Sequence, residues 1–297
     1  MDHLAPLSCA PKALGHHATA RAPRARKART GTLAWVDVEA LWSKRLGLLG
    51  AGCSLLGRDL PTQGLGAAVL CYHDVGTDPS NHTEYYLSPS RFRDQLEAIA
   101  GWGLRFTALD EIVTRLETGA ALDGLVAVTF DDALAGVLGQ ALEVLRALDV
   151  PATVFAVAGV LGREPDFWPG AAPTLAPTEL RSLVEAGLTV GSHTTTHASL
   201  PDVTAAVRSR ELLESRERLE EITGRHVDLL AYPFGHHDAP TRAAAREAGY
   251  RAAFTFSFGR VVPGTDPFAI PRLCMGPGHH RARLAYHLAR PFRAWRG

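Results

Sequence analysis

Cysteine is scarce and scattered. The 297 residues hold four, Cys9, Cys53, Cys71 and Cys274, with no Cys-x-x-Cys pair among them. Their spacing supports neither a cysteine-ligated zinc module nor a disulfide framework. An excess of charge is also missing: Lys+Arg and Asp+Glu both number 31, so nothing favours bulk nucleic-acid binding. No apolar run approaches the roughly 20 residues of a membrane-spanning helix. What is present is ordinary for a globular chain, 46% hydrophobic and 21% charged. Wholesale disorder and a collagen-like class are excluded, and the length suits one large domain or two average ones.

The neutral total conceals a split. Residues 1–58 carry nine basic and three acidic residues, and the remainder carries 22 basic and 28 acidic. The Ala-, Pro- and Arg-rich start, including Ala20–Arg29, shows no hydrophobic period and is expected to be disordered. After Lys44-Arg45 comes a glycine-interrupted apolar stretch, Leu46–Gly57, in which Cys53 follows Gly52. It reads either as a signal-peptide apolar region, with Cys53 at a lipoprotein-like cleavage site, or as a surface helix. Export and cytoplasmic residence both stay open. The expected division is a basic segment 1–58, a catalytic-type domain 59–278 and a helical tail 279–297.

From residue 67 strand-length apolar runs alternate with helical periods. The strands are expected at Ala67–Tyr72, Leu125–Phe130, Ala152–Val157, Leu188–Gly191, Leu229–Tyr232 and Arg251–Phe256. Ser88-Pro89 reads as an N-cap and first-turn proline, with Phe92, Leu96 and Ile99 on one helical face. Glu179–Ala186 and Thr241–Ala248 each stop at a glycine. Val203–Ile222 reads as a longer helix, charged on its outer face. Alternation of this kind argues for a mainly parallel sheet with helical crossovers, in which chemistry collects at the carboxyl ends of strands.

Four of those ends carry polar groups. Asp131 and Asp132 close the second strand as Thr-Phe-Asp-Asp. Adjacent carboxylates there repel and resist desolvation unless a cation joins them, although Asp also suits a plain helix N-cap. His193 and His197, in Ser-His-Thr-Thr-Thr-His, stand at i and i+4 and can converge on one metal. With a strand-end carboxylate they make a two-histidine, one-carboxylate set with open positions. Tyr232-Pro233-Phe234-Gly235 can aim a backbone N–H into a cleft and wall a sugar ring with aromatic faces, or be only a turn. His73 follows the first strand in Cys-Tyr-His-Asp; alone it reads as structural, and its place on the same rim makes it a site candidate.

These residues carry a resemblance. From about 67 to 275 the chain resembles the polysaccharide deacetylases with a NodB homology domain, carbohydrate esterase family 4. The Thr-Phe-Asp-Asp and Ser-His-Thr-Thr-Thr-His motifs carry it, with Ala231–Gly235, Ala244–Phe254 and Pro267–Arg272 as weaker support. The resemblance implies an α/β fold, a distorted (β/α) barrel of about seven strands. It implies Asp131 as catalytic base and Asp132, His193 and His197 as ligands of a divalent metal, zinc or else cobalt, nickel or manganese. It also implies that the Phe234 N–H helps hold an oxyanion. The Tyr-His context is similar to the circularly permuted poly-N-acetylglucosamine deacetylase branch, which gives His73 the acid role; His279 and His280 are its rivals. Where the family motif begins with a base-orienting arginine this chain has Ala231, and Arg272 is the candidate substitute. Tyr232, Pro233 and His236 are assigned to the substrate groove or to orienting the site, and His236 and His237 read equally as exposed loop residues.

The expected activity is removal of N-acetyl groups from an aminosugar polysaccharide, with acetate released. The competing readings are an O-acetyl esterase of the xylan type, a metal-bearing carbohydrate-binding protein without turnover, and a deacetylase of a small cytoplasmic aminosugar. The expected partner is the N-acetylated glycan, with no nucleic acid and no transmembrane span; the oligomeric state is not legible.

Overall fold

The computed structural model describes residue 60, residues 63–78 and residues 85–289. The expectations for residues 1–58 lie outside them. Strand β1 is Ala68–Tyr72, β2 Asp74–Val75, β3 Tyr86–Leu87, β4 Arg105–Phe106 and β5 Leu125–Phe130. Then come β6 Ala152–Ala156, β7 Thr189–Ser192, β8 Leu229–Ala231, β9 Ala252–Phe254 and β10 Leu273–Cys274. The α-helices are α1 Pro89–Gly101, α2 Leu109–Thr118, α3 Gln140–Ala147, α4 Pro177–Glu185, α5 Ala205–Thr223, α6 Ala239–Glu247 and α7 Arg281–Ala289.

Seven strands form one curled parallel sheet in the order β10-β1-β5-β6-β7-β8-β9, and β4 adds to β5. The two outer ends approach each other. Ile270, just before β10, bridges Phe254 of β9 in parallel, while Leu273 and Cys274 pair with Leu70 and Cys71 of β1. The segment 270–274 therefore spans the seam, and Arg272 lies at its middle.

Strand alternation places every important side chain. In β5, Val126, Val128 and Phe130 join the cluster between sheet and helices, whereas Leu125 and Ala127 belong to the inner cluster. Period two then sends Thr129 and Asp131 inward. In β1, Ala68, Leu70 and Tyr72 face the helices and Val69 faces inward, which carries Cys71 and His73 to the interior. Because both faces are covered, these strands read as near-continuous apolar runs.

The helices begin where their caps specify. Ser88 Oγ accepts from Arg91 N–H, and Pro89 occupies the first turn of α1. Thr204 and Asp238 cap α5 and α6 in the same way. Helix α5 starts two residues later than expected, because Leu200–Asp202 winds into a separate 3-10 turn. Helix α7 sets Leu284, Ala285 and Leu288 into the main core, and Gln95 Nε2 donates to His279 O at 2.9 Å. No helix among the described residues is long and apolar enough to cross a membrane.

Candidate metal centre and its surroundings

Asp131 and Asp132 leave β5 in opposite roles. The Asp131 N–H bonds to Tyr72 O, as a continuation of the parallel ladder. Asp132 then turns into the left-handed region, φ 65°, and Ala133 follows at 53°. That strained pair, sparsely populated by non-glycine residues, swings the second carboxylate toward the β7 loop.

That loop is equally unusual. His193 N–H bonds to Ala156 O of β6. Thr194 has φ 67° and His197 φ 63°, so the chain reverses twice between the two imidazoles. They meet through a tight loop and not along one helical turn, as the i, i+4 spacing suggested. His193 Nδ1 lies 2.7 Å from Ala231 O. A carbonyl only accepts, so Nδ1 carries the proton and Nε2 keeps its lone pair.

Both Nε2 atoms lie near one oxygen. His193 Nε2 is 3.6 Å and His197 Nε2 3.5 Å from Asp132 Oδ1. The three residues are buried, and Asp132 Oδ1 has no hydrogen-bond partner. Ligand atoms about 2.1 Å from a tetrahedral ion lie about 3.4 Å apart, so these separations fit a divalent cation. Burial, then the Asp131 charge, pushes Asp132 well above the carboxylate range. Burial, then His193, pushes His197 well down. An orphaned acceptor and two neutral imidazoles around one point make a donor set suited to a cation.

Asp131 has a different partner. Burial alone would raise its pKa, but the Arg272 guanidinium, and after it His193, hold it well below the carboxylate range. Arg272 is fully buried and donates to both carboxylate oxygens, at 2.7 and 2.8 Å. It also donates to Thr255 O and Thr129 Oγ1, and it lies over the Phe256 ring at 4.9 Å. The arginine missing at Ala231 is thus replaced across the barrel seam, while the Ala231 carbonyl orients His193. Cys71, His73 and Asp131 also offer ligand atoms within 4.8 Å of one another. This second group does not suit a cation, because Arg272 already occupies both Asp131 oxygens.

His73 faces the same interior and is 5% exposed. Tyr85, Trp168 and Phe256 surround its ring, with centroids at 4.6, 5.8 and 5.9 Å. Burial pushes it down to about 4, against the opposing pull of Asp131, so it is neutral at neutral pH. The rival His279 accepts from Gly276 N–H and lies beside His287, and His280 is exposed on the same stretch.

The β8 turn departs from the expectation at Tyr232. Leu229 and Ala231 face inward, so Tyr232 faces out. It is fully buried and its hydroxyl donates to Phe268 O at 3.1 Å. Tyr232 therefore cannot wall a sugar ring, and Pro233 is buried beside it. Phe234, at φ 57°, sets its ring 4.6 Å from His197. His236 is exposed, with Nδ1 3.1 Å from Ser199 Oγ, and His237 stacks on Tyr232. The aromatic rings packed on the site histidines include residues the sequence did not single out. Phe167 stacks on His197 at 3.9 Å, and Trp168 meets His73 and Tyr85 edge-on.

A parallel barrel that gathers two histidines and a carboxylate at its strand ends, beside a second carboxylate held ionised, has the layout of a metal-centred hydrolase. Residues 119–253 match the model of the polysaccharide deacetylase family. The chain is similar to the poly-beta-1,6-N-acetyl-D-glucosamine N-deacetylase of Staphylococcus epidermidis, 25% identical over 198 residues, 64% of this chain and 68% of that one. To YxkH of Bacillus subtilis it is 24% identical over 153 residues, and the match spans 52% of each chain. Among solved structures, IcaB from Ammonifex degensii superposes with TM-score 0.67 at 27% identity, over 77% of this chain and 99% of that one. A polysaccharide deacetylase from Bacillus cereus gives 0.64 at 26% identity, over 75% and 69%. His73 and Arg272 both fall outside the family match.

Proposed function

We propose that the chain hydrolyses N-acetyl groups on an aminosugar exopolysaccharide, poly-N-acetylglucosamine in type, and releases acetate. The observation that carries this reading is the convergence of His193 Nε2 and His197 Nε2 on the unpartnered Asp132 Oδ1, with Asp131 alongside. Asp132, His193 and His197 would hold a divalent ion, zinc in this proposal. Such an ion acidifies water and polarises a carbonyl oxygen.

The remaining work falls to the chain. Asp131, locked by Arg272, receives the proton of the attacking water. The lock trades basicity for orientation and keeps the carboxylate ionised. His73 is neutral at rest and close to Asp131; it relays that proton to the departing amine nitrogen. The Phe234 N–H, on its left-handed turn, donates to the developing oxyanion. Phe167 and Trp168 pack against His197 and His73 and would shield the site from water.

The test is acetate release from N-acetylglucosamine oligomers and from acetylated xylan, with and without prior chelation. Release from the oligomers that chelation abolishes and zinc restores is the expected result. Full activity in the metal-free protein, or release from xylan alone, contradicts it. Export of the chain belongs to this reading, since such a polymer lies outside the cytoplasm; cell fractionation checks it.

A further inference from the structure

The loop carrying both histidines is gripped from outside the barrel by one buried carboxylate. Glu211 sits on the second turn of α5 and is 7% exposed. Its Oε2 accepts from the Thr195 and Thr196 N–H groups at 2.9 and 2.8 Å, and its Oε1 accepts from Thr196 Oγ1 at 2.7 Å. The Glu211 backbone carbonyl also accepts from Thr195 Oγ1, at 3.1 Å. The two gripped residues lie between Thr194 and His197, the loop's two left-handed non-glycine positions.

The rest of the loop is fastened at its sides. Thr194 and Thr195 carbonyls accept from the Ala158 and Gly159 N–H groups. Ser192 Oγ accepts from Thr194 N–H and bonds to Ser215 Oγ, which in turn bonds to Tyr250 OH. Those contacts hold the start of the loop. Among the hydrogen bonds described, Glu211 alone supplies acceptors to the N–H groups of residues 195 and 196. Two adjacent N–H groups directed at one carboxylate oxygen fix the peptide planes that lead into His197. A left-handed residue relaxes when its surroundings cease to impose the conformation, and His197 Nε2 would then leave Asp132 Oδ1.

We infer that Glu211 is a positioning residue for the metal centre: its carboxylate holds the Thr195–Thr196 peptides so that His197 meets the ion. This rests on the reading that Asp132, His193 and His197 bind a divalent cation. Partners that orient metal ligands contribute about 10–100-fold to affinity.

The experiment measures zinc affinity by chelator competition, cobalt d–d absorption and metal-free thermal stability for wild type, Glu211→Ala and Glu211→Gln. Glutamine keeps an oxygen for the two N–H groups, and its amide can donate to Thr196 Oγ1 as that hydroxyl rotates. Geometry is preserved while charge is lost. The expected result is a loss of about 10–100-fold in zinc affinity for Glu211→Ala, with a changed cobalt spectrum. Near-wild-type affinity and spectrum are expected for Glu211→Gln. An alanine variant that melts lower yet binds zinc as wild type does, below its melting temperature, overturns the inference and leaves the metal site standing. If Glu211→Ala does not fold, Glu211→Gln decides: weakened zinc binding in that folded variant overturns the geometric role. Wild type that binds neither ion overturns the site and this inference together.

Discussion

Arg272→Met tests the joint between the barrel seam and the site. The substitution removes two charge-assisted hydrogen bonds at 2.7 and 2.8 Å from a carboxylate with no exposure. Breaking one side of a buried ion pair costs about 3–5 kcal/mol, because the remaining charge is left without compensation. Asp131→Asn should cost a similar amount, since it strands the guanidinium. The double variant removes both charges and should lose less than the sum by about 2–3 kcal/mol. Urea unfolding of chelated protein closes the cycle without metal linkage. Arg272→Lys, which keeps charge but not the two-pronged geometry, serves if methionine prevents folding. Turnover should fall about 100-fold for Arg272→Lys, the effect of misplacing a reacting group by about 1 Å. Additive single losses, or an Arg272→Met loss below about 1 kcal/mol, would show that the pair is not the coupled unit described.

Three further outcomes follow from other parts of the site. His73→Gln should lower turnover by about 100-fold or more while zinc affinity stays unchanged; an unaltered rate returns the proton-carrying role to His279 or His280. Asp74 is 3% exposed and burial raises it to about 6. Its folded value lies above its unfolded one, so its contribution is complete below about pH 3.8 and is lost as pH rises through 6. Asp74→Asn should therefore gain roughly 2–3 kcal/mol on wild type between pH 4 and pH 8, and a pH-independent difference contradicts this. At Gly159 an added Cβ would run into the Thr195 carbonyl oxygen. Gly159→Ala should cost about 1–3 kcal/mol in thermal unfolding and weaken zinc binding, whereas an unchanged melting curve contradicts the close approach.

The chemistry was legible where strand ends coincide with unusual residues. Asp131, Asp132, His193 and His197 are local in sequence, and their types announce a cation. Strands β1, β5 and β6 were legible because both faces are covered, which makes each an apolar run. Strands β4 and β10 are two residues each and too short to show a period. Arg272 gave only a weak signal, since its partner is 141 residues away and the pairing exists only once the seam closes. The outward turn of Tyr232 was readable: alternation along Leu229–Tyr232 sets it opposite Ala231. Glu211 was concealed by its own helix, whose charged residues suggested a solvated face. Phe167 and Trp168 lie in an irregular loop with no period to mark them.

The proposed function requires one cation held by three side chains from two loops. Anomalous diffraction at the zinc edge, on crystals grown with zinc, measures this directly. The expected result is a strong peak about 2.0–2.2 Å from Asp132 Oδ1, His193 Nε2 and His197 Nε2. A peak elsewhere, or none in protein whose histidines are ordered, contradicts the account.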